Sequence, residues 1–151
     1  MSERKTHLAQ FNIARLRHPL DDPASAGFKD NLDRVNGAAK RMPGFIWVLE
    51  DDGGSATAFR IDNDPQMLVN LSLWESADHL RRFVFGPVHR HFLERRDEWF
   101  EPSPRAQLVM WNLPEGELPT LQDAVRRLKH FEANGPSEIA FSWAALQSTE
   151  R

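Results

Sequence analysis

From His7 to Arg15 the chain alternates, with Leu8, Gln10 and Asn12 on one side and Ala9, Phe11 and Ile13 on the other, which predicts a first strand. Turn chemistry follows in LRHPLDDP, where Asp22 suits an N-cap and Pro23 the first helical position. Phe28, Leu32, Val35 and Ala39 then form one apolar stripe, so a helix should run to about Arg41. Met42-Pro43-Gly44 stops it. FIWVLE reads as a short strand with Phe45, Trp47 and Leu49 on one side, and DDGGSA supplies the glycines of a hairpin that returns through TAFRI. The clearest alternation begins at Met67 in MLVNLSLWE: Val69, Leu71 and Leu73 face one way, Leu68, Asn70, Ser72 and Trp74 the other.

Ser76 caps a helix carrying Leu80, Phe83 and Val84, Gly86-Pro87 interrupts it, and VHRHFLERRDEWF continues as helix. AQLVMWNLP is a further strand. Glu115-Gly116 and Pro119-Thr120 prepare a last helix with Leu121, Val125 and Leu128 spaced by 4 and 3, and IAFSW adds a short strand or covers an edge. Without repeats or a long linker, residues 1–151 form one domain. The element order predicts an α+β fold: a ferredoxin-like antiparallel sheet with helices on one face. Three strands have an apolar face, and their other faces are inlaid with Gln10, Asn12, Asn70, Ser72 and Asn112. Helices layered on one side would leave the second face open, so a homodimer through the sheet faces is expected.

Composition narrows the chemistry. The chain has no Cys and no Tyr but 5 Trp and 10 Phe, which excludes disulfides, thiolate nucleophiles, Cys-ligated metals and tyrosyl acids. A net charge of -3, from 19 basic and 22 acidic residues, gives no field for nucleic acid or anionic lipid. No stretch approaches the roughly 18 apolar residues of a membrane helix, and the opening MSERKTHLAQ has no apolar core, so a cytoplasmic protein is expected.

NLSLWESADHLRRFVFGPVHRHF, from Asn70 to Phe92, resembles the dimeric α/β-barrel superfamily of antibiotic-biosynthesis and haem-degrading monooxygenases, through a strand ending in Trp-Glu-Ser, a helix, and a His near the next helical turn. With HLAQFNIAR, PGFIWVLE and HRHFLERRDEWF the chain more closely resembles a bacterial family of that superfamily with no assigned function, from His7 to about Trp143. The resemblance implies a dimeric α/β barrel with a pocket between sheet and helices, and a cofactor-free oxygenation there. It implies that Asn12 matches a first-strand pocket Asn and His89 the helical His of antibiotic-type members. Phe83 stands where the haem-degrading branch carries Trp and Leu93 near where its iron-ligating His would fall, which argues against haem degradation.

His89 is the candidate base, since imidazole takes protons near neutral pH, and Asn12 the candidate oxyanion partner; the bland alternative for His89 is a hydrogen-bonded core histidine. Asn12, Asn70 and Ser72 either line a pocket or satisfy each other in a polar ladder. Trp74 shares their face and could stack on a planar substrate, whereas Trp47 and the other tryptophans could equally fill core. His91 is a further binding candidate. On a helix the rings of His89 and His91 diverge by about 200°, so no metal site is expected. No glycine-rich phosphate loop follows a strand, which leaves no nucleotide or flavin site. The functional expectation is a small-molecule enzyme acting without cofactor on a planar aromatic or polyketide-like metabolite. The alternatives are a module that binds haem or an apolar metabolite, and a non-redox isomerase or cyclase.

Overall fold

Strand β1 (Thr6–Arg15) runs between β3 (Met67–Trp74) and β4 (Leu108–Pro114), and β2 (Phe45–Val48) extends the far side of β3. The sheet order is therefore β2-β3-β1-β4, with every pair antiparallel, which is ferredoxin-like connectivity. The computed structural model describes residues 5–50, 64, 66–102 and 108–143. The hairpin expected through DDGGSA and TAFRI lies outside them.

The caps fall where the sequence places them. Asp22 accepts from the Ala24 amide at 2.8 Å over a short 3-10 turn (Pro23–Ser25), which leads into α1 (Ala26–Lys40). The Ser76 hydroxyl accepts from the His79 amide at 3.3 Å to open α2 (Ala77–Val84), and Thr120 accepts from the Asp123 amide at 3.1 Å to open α5 (Leu121–Asn134). VHRHFLERRDEWF forms two helices rather than one: α3 (Pro87–Glu94) and the single turn α4 (Arg96–Trp99), separated at Arg95. The tail contributes one bridge to the sheet, in which Met110 and Phe141 exchange amide hydrogen bonds of 2.8 and 2.9 Å on the free edge of β4.

Register assigns the two faces. Gln10 lies opposite Ser72 and Asn12 opposite Asn70, so the amides and hydroxyl share one face with Leu8, Trp74 and Met110. α1 and α2 pack there through Val35, Ala38, Ala39, Leu80 and Phe83. The other face is Ala9, Phe11, Ile13, Val69, Leu71, Leu73, Val109 and Trp111, all buried. The expectation that all helices lie on one face is corrected here, because Ala124 and Leu128 of α5 pack against this second face. Gly116 (φ 95°) supplies the turn after β4, and the stripe Leu121, Val125, Leu128 covers what the homodimer argument left bare. The Arg127 guanidinium sits 5.1 Å from the Trp111 ring centroid and adds a cation–π contact to that cover.

A second correction concerns β2. An irregularity in its pairing with β3 between Phe45 and Trp47 turns them to opposite faces instead of the same one: Phe45 packs with the α1/α2 cluster, Trp47 with the α5 cluster. Just before β2, Gly44 adopts φ 84°, and a Cβ there would lie 2.2 Å from Cγ of His79, far inside contact distance. Gly44→Ala is therefore expected to lower stability by about 1–3 kcal/mol in urea unfolding; an unchanged midpoint would show that this turn and His79 give way freely.

Candidate functional site

A cavity of about 450 Å³ opens between the amide-bearing face of the sheet and α1, α2 and α3. Its walls are mostly apolar, with Phe28, Leu32 and Val35 on one side and Phe83, Val84 and Phe92 on another. Gln10, Asn12, Asn70, Ser72 and Trp74 form the sheet floor, and His89 contributes from the helical wall. Size and lining suit a small, largely apolar ligand.

The floor is a connected polar plate. Asn12 Nδ2 donates to Gln10 Oε1 at 3.3 Å. Gln10 Nε2 donates to Asn70 Oδ1 through a short hydrogen bond and to Ser72 Oγ at 3.0 Å. Trp74 Nε1 also donates to Ser72 Oγ, at 2.9 Å. Alternation explains the grouping, since residues two apart on a strand share a face and the β1–β3 register sets the pairs side by side. The two readings of these residues thus coincide: they satisfy one another and line the cavity at once.

His89 reaches the cavity because Gly86 and Pro87 start α3 afresh after α2. A Cβ at Gly86 would lie only 3.1 Å from the Arg82 carbonyl, and Pro87 occupies the first helical turn, where its missing N–H costs nothing. The ring then packs edge-on to Phe83, with centroids 5.1 Å apart, and against Phe92 at 6.1 Å. Burial among these rings lowers its pKa below the ordinary 6.5, with the Val84 backbone pulling the other way. Nδ1 is buried with no hydrogen-bond partner among the described residues. A neutral imidazole beside a polar floor can accept a proton.

Trp74 is 1% exposed, stacks on Phe83 at 5.4 Å and 23°, and meets Phe45 edge-on at 5.5 Å. Its indole is therefore fixed, with part of its surface lining the cavity. Two candidates are not brought in. Trp47 belongs to the opposite face, for the reason given above, and His91 points outward from α3, exposed, two positions and about 200° from His89. Gln10 and Trp143 were missed as site residues. Gln10 carried a signal, since it continues the alternation of Asn12, but a strand glutamine reads as surface unless both neighbouring strands are placed. Trp143 lines the cavity with the Arg81 guanidinium 5.8 Å from its ring, and nothing local in the tail marks it.

Fold and site together define a ferredoxin-like α+β domain with a largely apolar cavity on one face of its sheet. The chain matches DUF3291, a domain of unknown function, over residues 7–151, and belongs to that family. No curated protein matches it. Among solved structures it is similar to a protein from Methanosarcina mazei (9% identity, TM-score 0.54, covering 71% of this chain and 92% of that one). It is similar to a protein of unknown function from Nitrosomonas europaea (14%, TM-score 0.51, covering 78% and 99%). It is also similar to a variant of SnoaB, a cofactor-independent oxygenase from Streptomyces nogalater (15%, TM-score 0.50, covering 76% and 96%). At these identities the likeness is one of fold. No helix among the described residues is long and apolar enough to cross a membrane.

Proposed function

We propose that this chain is a cytoplasmic enzyme that oxygenates a planar aromatic or polyketide-like metabolite without a cofactor. The observation that carries the reading is the convergence of His89, held neutral by burial, with the polar floor of Asn12, Asn70 and Ser72 on one apolar cavity. The His89 imidazole takes a proton from an acidic C–H or O–H of the substrate, leaving a delocalised anion. That anion supplies the electrons to O₂, so that a substrate CH₂ becomes a carbonyl while the second oxygen atom leaves with two protons as water. Asn12 and Asn70 stand on the floor where developing negative charge on a substrate oxygen would be stabilised, and Trp74, already stacked on Phe83 and 1% exposed, shapes the wall rather than stacking on the substrate.

The test is oxygen uptake with a panel of electron-rich quinols and polycyclic phenols, expected at one O₂ per product carbonyl. Absence of uptake across the panel overturns the reading. A Soret band on haem titration without uptake would move the protein to a binding role, and product formed without oxygen would move it to isomerase or cyclase chemistry. The homodimer stays within this proposal in altered form. Leu118 and Ile139, which flank α5, are exposed, so a second copy would pack over α5 rather than on bare strands.

A further inference from the structure

A serine hydroxyl has two acceptor lone pairs and one proton to give. In Ser72 both lone pairs are occupied, by Gln10 Nε2 at 3.0 Å and by Trp74 Nε1 at 2.9 Å. Neither donor is free to leave. Trp74 is wedged between Phe45 and Phe83, and Gln10, 5% exposed, is committed at its other contacts to Asn70 and Asn12. The Ser72 proton has no acceptor among the described residues, and Ser72 lines the cavity. A ladder that served packing alone would close on itself; this one ends in a donor.

We infer that Ser72 is the specificity-determining donor of the cavity, giving its proton to a carbonyl or phenolate oxygen on a flat apolar ligand. Gln10 is the positioning residue that fills the hydroxyl's lone pairs and so turns its proton to the ligand. This rests on the proposal that the cavity is the ligand site. The arrangement selects by chemistry: an acceptor oxygen over Ser72 completes the hydroxyl's bonding, whereas a hydrocarbon there leaves a buried donor unpaired.

Fluorenone and fluorene test this, since they share one planar tricyclic skeleton and differ by a carbonyl oxygen in place of two hydrogens. Calorimetry on the intact protein is expected to show fluorenone binding about tenfold tighter, the worth of one well-made hydrogen bond. Ser72→Ala should abolish the preference, weakening fluorenone while fluorene, which no longer buries an unpaired donor, binds as well or better, and Ser72→Thr, which keeps a hydroxyl, should restore most of the preference. The infrared carbonyl band of bound fluorenone should lie below its position in apolar solvent in the wild type and return toward it in Ser72→Ala; Gln10→Leu should return it part of the way. Equal affinity for the two compounds in the wild type, or a Ser72→Ala variant that weakens both alike, overturns the donor role and leaves the cavity proposal standing. If neither compound binds, both fall.

Discussion

Replacing His89 by Ala should reduce kcat for oxygen consumption by about 10²–10⁴-fold, the usual span for loss of a general base. The cavity should survive, because the ring fills one stretch of wall between Phe83 and Phe92 and donates or accepts nothing from Nδ1. KM should change far less than kcat, which separates loss of a proton acceptor from loss of binding. The pH profile carries a sign. Burial holds His89 below its ordinary 6.5, so the neutral, proton-accepting form persists at neutral pH and somewhat below, and kcat/KM should fall on the acid side at a pH under about 6.5. Stability follows the same linkage. Above about pH 6.5 the ring is neutral in folded and unfolded chains and contributes no pH dependence. Between that value and its lower folded pKa the unfolded chain takes up a proton that the folded one refuses, and stability falls with pH; below the folded pKa the loss stops growing. His89→Phe should lack this segment of the curve in urea unfolding measured across the range. An acid limb centred at or above 6.5, or one unchanged in a still-active His89→Ala, would remove His89 from the reaction.

Much of this was legible in the residues. Period-two alternation in HLAQFNIAR and MLVNLSLWE fixes which side chains share a face before any partner strand is known, and that alone groups Asn12 with Gln10, and Asn70 with Ser72 and Trp74. It does not say which face the helices choose. The amide-bearing face reads as the poorer site for packing, yet it takes α1 and α2, and the fully apolar face takes α5, because the turn at Gly116 returns the chain across the far edge of the sheet. Trp47 shows the other limit. A single irregularity of pairing inverts every later residue of a strand, and FIWV carries neither Gly nor Pro to mark it. His89 and His91 were separable because helical geometry is rigid enough for a two-residue spacing to decide the matter. Trp143 comes to the cavity through contacts distant in sequence, which no local pattern encodes.

Trp111→Ala should be the most damaging of the core substitutions, with a loss of about 3–5 kcal/mol in urea unfolding. Trp111 is 0% exposed, stands on β4 opposite Ala9 of β1, and belongs to the cluster completed by Ala124 and Leu128 of α5, so truncation opens a cavity that rigid strands and one helix cannot both collapse into. Arg127 would lose the ring it covers, although its bonds to Asp123 at 2.7 Å and to the Ile139 carbonyl at 2.6 Å keep it in place. The effect on ligand affinity should be slight, since Trp111 and the cavity lie on opposite faces of the sheet: one face carries stability and the other the site. Trp47→Ala, at a half-buried position on the same apolar face, should cost less. The same series, repeated over a range of protein concentrations, decides the homodimer. A midpoint that rises with concentration means that a second copy stabilises the cover over α5; one that does not move means that α5 completes this face within a single chain.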